Sequence, residues 1–352
     1  MPAISVIVPI YNTPIKIFRR CINSIRSQSF DDYEVILIDD GSANGVGLLC
    51  DKCAEKDPRF RVIHQKNKGL PAARNAGLEA CLGEWFLCLD PDDWWEKNTL
   101  ELLYGKIEKE HPDILIFGWF DNFKDHQVER RYFPEGGNQY RVAQKALIRN
   151  MQLGIMNEFV RKVSGYSGSV CMVVINRRFA KENRLSFNEN LRLMEDGVYS
   201  LYLLEAAKQV AIWDIPLYHY RQHKKSATKR YTPEISDIFS DIFMELYNFI
   251  QLHKDDKDFF RAYEVALARG YLRMLQRDLF SRDNPLTDQE KKQRWETAVK
   301  TKPFFQQLKK TDPLMLYKCR KYYGCMHFLT FKLRSYRLLK WSFKLEALLK
   351  KV

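Results

Sequence analysis

Within the first 120 residues, short β-branched runs alternate with stretches whose apolar residues recur at helical spacing, and this alternation constrains the fold most. Residues 4–10 read as a strand, after which Ile17, Cys21, Ile22 and Ile25 mark one helical face. Residues 34–38 follow as a strand, 48–55 as a short helix, 61–64 as a strand and 70–81 as a helix. A strand at 85–89, a helix at 99–108 and a strand at 113–119 complete the series. Strands separated by helices are joined by crossovers, so the pattern predicts an α/β domain with a mostly parallel, mixed sheet. Ligands of such open sheets bind beyond the carboxyl ends of the strands. That rule selects residues 9–12, 39–42, the segment after His64, and 90–93.

The unusual residues sit at those ends. Asp90, Asp92 and Asp93 follow an apolar run, and crowded carboxylates become favourable around a hard divalent cation such as Mg²⁺ or Mn²⁺. Acidic residues after a strand can also simply turn the chain or cap the next helix. Tyr11, in Pro9-Ile10-Tyr11-Asn12, offers a flat face to a base or fills the core. A carboxylate in Asp39-Asp40-Gly41-Ser42 can accept a hydrogen bond from a base or ribose, or belong to an ordinary Asp-Gly turn. Gly69 precedes a helix that carries Arg74, a partner for phosphate or a solvated cation. Glu195-Asp196 opens the helix at 197–207, as a general base for a hydroxyl or as a favourable charge at the helix N-terminus. Residues 218–226 gather His, Arg and Lys that suit a diphosphate or form a solvated loop.

The motifs Ser5-Val6-Ile7-Val8-Pro9-Ile10-Tyr11-Asn12, Ile38-Asp39-Asp40-Gly41-Ser42, Asn67-Lys68-Gly69 through Ala73-Arg74-Asn75-Ala76-Gly77, Leu89-Asp90-Pro91-Asp92-Asp93 and Glu195-Asp196 closely resemble family 2 glycosyltransferases, among them those of bacterial polysaccharide assembly. The resemblance covers about residues 1–225 and implies a GT-A fold, a nucleotide-diphosphate sugar donor, Mg²⁺ or Mn²⁺, and inversion at the anomeric carbon. It implies that Pro9 and Tyr11 flank the base, with Asn12 and Gly69 beside the donor, and that Asp40 hydrogen-bonds the base. Arg74 would lie near the nucleotide, Asp90 near the ribose and Asp92 on the metal, a role Asp93 could share. Asp196, with Glu195 beside it, matches the catalytic base, and Arg221 and His223 match a basic element over the diphosphate. Glycine often precedes the Glu-Asp pair in such sequences; Met194 stands there here. A nucleotidyltransferase would use the same carboxylates but release pyrophosphate and leave Asp196 without an evident role. A non-catalytic interaction protein on the same scaffold is the third reading.

Beyond residue 120 the pattern loosens: 120–168 read as a long excursion, 169–175 as a strand, and 210–213 and 217–221 as two short strands. From residue 232 only helical patterns recur, broken at Pro285, Pro303 and Pro313. The expected division is a catalytic domain at 1–230, with a nucleotide-sugar half at 1–120 and an acceptor half at 121–230, followed by a helical, basic appendage at 231–352. Charge follows that division. Residues 300–352 carry 14 Lys/Arg against Asp312 and Glu346, a net of +12, which leaves +1 of the total +13 on residues 1–299. A uniformly basic nucleic-acid binder would look different, so no nucleic-acid partner is expected.

Phe331, Leu338, Leu339, Phe343 and Leu349 lean to one side of a notional helix, with Arg337, Lys340 and Lys344 on the other and Trp341 near the boundary. This predicts a tail lying on an anionic membrane surface, against the alternative of a helix docked in the core. The expected acceptor is then a glycan on a lipid carrier, with a protein-linked glycan as competitor; a homodimer is left open. Eight scattered cysteines, with Cys50 and Cys53 lacking a second pair at zinc spacing, fit reduced thiols. The N-terminal residues lack a signal-peptide pattern, and no apolar run is long enough to span a bilayer. Together these predict a cytoplasmic protein, peripheral on the cytosolic face of a membrane.

Overall fold

Strand β1 (Ile4–Ile10) is buried along its whole length, as a strand that is apolar at every position but Ser5 requires when it is covered on both faces. It pairs in parallel with β2 (Tyr33–Asp39) and with β4 (Trp85–Cys88), and β3 (Phe60–His64) continues the parallel set beyond β2. The computed structural model describes residues 1–133, 138–157, 168–222, 231–233, 235–311 and 322–349, of which the side chains of 157, 322–325 and 346–349 are not described. Among these residues one ten-stranded sheet runs in the order β3-β2-β1-β4-β9-β6-β10-β5. In it β5 is Trp94–Trp95, β6 Ile114–Asn122, β9 Val173–Asn176 and β10 Val210–Arg221. Two further strands attach at the side, β7 (Gln127–Arg130) on β6 and β8 (Tyr140–Val142) on β10. The central strand β9 is antiparallel to both neighbours, β4 and β6, while β6 and β10 are parallel. The sheet is therefore mixed, with its parallel half in the first hundred residues.

Helices α1 (Ile15–Arg26), α2 (Val46–Lys56), α3 (Leu70–Ala80) and α4 (Thr99–Glu110) fall where the periodicity predicts them. Helix α1 buries Phe18, Cys21, Ile22 and Ile25, one stripe at helical spacing. Helix α3 lies so close to the sheet that a Cβ on Gly77 would strike the Ile7 side chain and come within 3.1 Å of Ile38 Cδ1. Two expectations change. The long excursion after residue 120 contains β7, β8 and helix α5 (Lys145–Asn157), whose strands are short and polar enough to hide their period. The two short strands after 210 are one strand, β10, whose register slips around Pro216, where no N–H is available for the ladder. Cys21, Cys50, Cys53, Cys81, Cys88 and Cys171 are free and buried, including both members of the Cys-x-x-Cys.

The chain divides into two compact units, Met1–Gly154 with Val163–His223, and Ile155–Lys162 with Lys224–Val352. The first holds the sheet, together with helices α6 (Arg177–Glu182) and α7 (Glu195–Ala206). The second is built from α8 (Ile235–Gln251), α9 (Lys257–Arg277), α10 (Asp288–Thr301), α11 (Pro303–Lys310), α12 (Tyr322–Lys332) and α13 (Tyr336–Leu349). Its core is aromatic, with Phe243 and Phe304 stacked at 5.1 Å and Tyr271 against Phe331 at 5.0 Å. No helix among the described residues is long and apolar enough to cross a membrane.

Gly77→Val would force branched methyls into Ile7 and Ile38, both fully buried in the sheet. A loss of about 1–3 kcal/mol is expected from such overpacking, read as a lower urea midpoint at unchanged slope.

Candidate active site

The parallel strands end on one side of the sheet, and the loops that leave them are tied to one another. After β1 the chain turns through Asn12, whose φ of +48° suits asparagine. The Asn12 N–H donates to Ser42 Oγ at 3.0 Å, and Ala43 N–H donates to Asn12 Oδ1 at 2.9 Å. This cross-loop pair leaves Tyr11 standing out at 55% exposure, an open ring at the end of β1. Pro9 lies inside the sheet opposite Ile38, so its ring is core and not open surface.

Asp40 is held from within the protein. It is 2% exposed, and its carboxylate accepts from Gln65 Nε2 at 2.7 Å, Lys68 N–H at 2.9 Å and Gly69 N–H at 2.8 Å. Three donors and full burial make Asp40 the clamp of the 65–69 loop, which reaches α3 through Gly69 at φ +92°. Gly69 is thus held by Asp40 at the start of the helix, where a glycine is needed for its backbone conformation.

Arg74 is buried between two acids. The guanidinium is 2% exposed and bridges two acids: Nη1 donates to Glu195 Oε1 at 2.8 Å and Nη2 to Asp90 Oδ1 at 3.1 Å. Burial alone would lower its pKa, but Asp90 and Glu195 outweigh burial and hold it well above the usual value. The bridge joins the first turn of α7 to the loop after β4. Glu195, 8% exposed, is spent on this contact, whereas Asp196 is half-buried and its Oδ1 accepts from Gly197 N–H at 2.8 Å. Asp196 acts electrostatically on Cys88, the last residue of β4. The structure therefore brings Asp196 beside the acidic loop and separates its circumstances from those of Glu195. Met194 enters α7 in the left-handed region at φ +58°, the conformation that glycine adopts most readily.

The three aspartates after β4 are unlike one another. Asp93 is 1% exposed; its Oδ2 accepts from the Tyr218 hydroxyl at 2.5 Å and its Oδ1 from Arg221 N–H at 2.7 Å. Burial, then the carboxylates of Asp92 and Asp90, push the Asp93 carboxyl well above the usual range. Both of its oxygens are committed to β10, which runs antiparallel to β5 at this point. Asp90 is about one-third exposed at its side chain and Asp92 is half-buried, so these two carry the accessible charge. No group of three or more His, Cys, Asp or Glu among the described residues forms a ready metal cage. The donor set nevertheless suits Mg²⁺ or Mn²⁺, which commonly use one or two carboxylates plus phosphate oxygens. Asp92, half-buried in the same loop, is the candidate ligand for that role.

Several neighbours carry no sequence motif. Arg20, on the exposed side of α1, lays its guanidinium 3.2 Å from the Trp94 ring centre. Trp94 stacks in turn on His219 at 4.9 Å, and His219 on Phe120 at 4.8 Å. Burial lowers the His219 pKa against the pull of Glu96, and its Nδ1 meets the Asn122 amide at 3.1 Å. A neutral ring accepting from Asn122 and donating to Glu96 is therefore a wall of the site, not part of its positive charge. Burial and then the positive charge of Arg221 lower the pKa of Arg20. Arg221 Nε is buried without a hydrogen-bond partner. Tyr220 feels Asp93, Asp90 and Asp92 and is pushed up mainly by burial. The tyrosines could have been suspected from their alternation along β10; Arg20 has no signal beyond lying between Ile17 and Cys21. His223 lies outside the described residues.

A mixed α/β sheet with an open aromatic ring and carboxylates gathered at the ends of its parallel strands is the architecture of the nucleotide-diphospho-sugar transferase class of fold. The chain belongs to glycosyl transferase family 2, whose model matches residues 5–182. GlyG, a glycosyltransferase of Streptococcus pneumoniae serotype 4, is 29% identical over 289 residues, 76% of this chain and 92% of that protein. GgaA, a minor teichoic acid biosynthesis protein of Bacillus subtilis, is 25% identical over 335 residues, 89% of this chain and 70% of GgaA. EpsH of the same organism is 33% identical over 242 residues, 66% of this chain. The chain spans 65% of EpsH and 64% of EpsJ, slightly under two thirds of either relative. S. aureus TarS 1-349, crystallised with UDP-GlcNAc, superposes with a TM-score of 0.61 at 22% identity, covering 96% of this chain and 93% of that one. The fold is GT-A, as the motifs imply.

Arg74→Met would leave Glu195 buried without its counter-ion. A loss of about 3–5 kcal/mol in unfolding free energy is expected, with Arg74→Lys a poor rescue because one ammonium cannot fork to both acids. Equilibrium denaturation of the two variants checks both statements.

Proposed function

We propose that this chain is a metal-dependent, inverting glycosyltransferase that moves a sugar, a hexose or N-acetylhexosamine, from a UDP-sugar to a hydroxyl of a glycan acceptor. The observation that carries this reading is the Arg74 bridge, which fixes the helix bearing Asp196 beside the loop bearing Asp92. A candidate proton acceptor and a candidate metal carboxylate thus share one strand end, where an acceptor hydroxyl and a diphosphate must meet. The UDP-GlcNAc complex of TarS supports the donor class, and the name of GgaA supports a place in cell-surface polymer assembly. A lipid-linked acceptor, met by an enzyme peripheral on the cytosolic face of the membrane, fits the basic C-terminal region.

In this mechanism Tyr11 stacks against the base. Asp196 accepts the proton of the acceptor hydroxyl as its oxygen attacks the anomeric carbon and the bond to the diphosphate oxygen breaks. Attack from the face opposite the leaving group inverts the centre. Arg20 and Arg221 lie on the side where negative charge builds on the departing UDP, and fixed cations there stabilise the transition state more than the ground state. Mg²⁺ or Mn²⁺, held by Asp92 and phosphate oxygens, would supply further charge neutralisation to the diphosphate.

Two substitutions test the assignment. Asp196→Asn keeps the shape and removes the base, so transfer is expected to fall by about two to four orders of magnitude while UDP affinity stays near normal. Turnover close to wild type would move the role elsewhere. Asp92→Ala is expected to abolish Mn²⁺-dependent UDP binding in calorimetry; undiminished metal-dependent binding would remove Asp92 from the site. A panel of nucleotide sugars with and without Mn²⁺ identifies the donor, and pyrophosphate release from a nucleoside triphosphate would favour nucleotidyl transfer instead.

A further inference from the structure

Helices α12 and α13 do not present the face that the residue pattern suggests. Phe331 is 1% exposed and Leu339 is fully buried. Phe343 is stacked between His327 at 4.0 Å and Phe280 at 4.2 Å. His327 Nδ1 meets Ser342 Oγ at 2.7 Å, both buried, and Tyr336 lies against Trp295 at 6.0 Å. Of the stripe expected to meet a membrane, Phe331, Leu339 and Phe343 are therefore turned into this helical unit, whereas Leu338 is exposed and the side chain of Leu349 lies outside the described residues.

A second face remains. On α13, Leu338 and Trp341 are exposed at 42% and 58%, and the half-buried Leu345 continues their spacing of three and four residues. Arg337 and Lys344, also exposed, fall beside this strip at about 100° per residue. At the other side of the turn, Leu329 on α12 and Leu333 just beyond it are exposed at 50% and 67%, followed by exposed Arg334. Lys340 is committed differently, to an ion pair with Asp288. Large apolar side chains next to arginine and lysine, with an indole among them, are what a headgroup boundary accommodates.

We infer that this outer face, Leu329, Leu333, Leu338 and Trp341 with Arg334, Arg337 and Lys344, is where the protein rests on an anionic lipid surface. Charge selects the occupant: residues 300–352 carry +12 of the chain's net +13, far more than a self-complementary contact between two copies would tolerate. The four apolar side chains enter the acyl boundary while the cations stay among the headgroups. The inference rests on the reading of the enzyme as peripheral and adds which surface does the docking.

Full-length protein should co-sediment with vesicles of phosphatidylglycerol and phosphatidylcholine in equal parts, weakly with phosphatidylcholine alone, and less as salt rises. Leu338→Ser with Trp341→Ser should lower the partition coefficient about tenfold or more, since both side chains already face solvent and the fold does not need them. Arg337→Gln with Lys344→Gln should lower it by a similar factor and flatten its salt dependence. Unchanged thermal unfolding and UDP binding show that the variants are folded. Variants that bind like the parent would overturn the face while leaving peripheral attachment intact. A parent that ignores both vesicle types would remove the peripheral reading and the face together. Loss of a dimer on size exclusion in the serine variant, with vesicle binding unaltered, would make the face a contact between copies.

Discussion

The site hangs on one buried cation. Transferring a guanidinium from water to the interior costs several kcal/mol, and Arg74 recovers this only because Asp90 and Glu195 approach it from two separate elements. Neither acid is dispensable to that balance. The consequence is positional: the start of α7, distant in sequence, cannot drift from the end of β4 without stranding a charge. The surroundings leave no substitute, since the thiols of Cys88 and Cys171 beside Arg74 are pushed up mainly by burial and stay neutral.

Burial then divides labour among carboxylates that look equivalent on paper. Asp93 is closed off by Tyr218 and by the backbone of Arg221, so it shapes β10 and the approach to the site. Asp90 is tied to Arg74, and Asp92 is half-buried. A cluster of three acids would repel itself if all were equally exposed and charged. Sinking one, pairing one and leaving one near solvent eases that repulsion and still offers an oxygen ligand to a cation. The aromatic stack from Arg20 through Trp94 and His219 to Phe120 fixes the Arg20 guanidinium over an indole face.

Strand ends were legible in the sequence because period and β-branching are local properties, and β1 to β4 with α1 to α4 follow them closely. The accessible Tyr11 and the carboxylates at the ends of β2 and β4 were legible for the same reason. What escaped was partnership. Arg74 and Glu195 are 121 residues apart, and nothing near either one shows that they neutralise each other. That the backbone amides of Lys68 and Gly69 donate to Asp40 is equally invisible in the sequence around Asp40. Likewise the stripe on α13 has the right spacing for a surface, yet spacing alone does not say which side meets Phe280 and His327 and which meets water. Such questions are decided by long-range packing, which a periodic pattern constrains but does not contain.

Met194 shows how the local and long-range demands are reconciled. A left-handed backbone at a non-glycine residue costs about 1 kcal/mol, and here it stands directly before the two acids that open α7. Successive helical residues point about 100° apart, so a helix entered at one angle turns Glu195 inward and leaves Asp196 half-buried beside it. Entered at another, the two would exchange surroundings: the carboxylate needed by Arg74 would face outward and the candidate base would be sealed in an ion pair. The strained entry at Met194 therefore belongs with the Arg74 bridge. The bridge fixes where the helix begins, and the left-handed residue sets its rotation, which decides which of two adjacent acids meets Arg74.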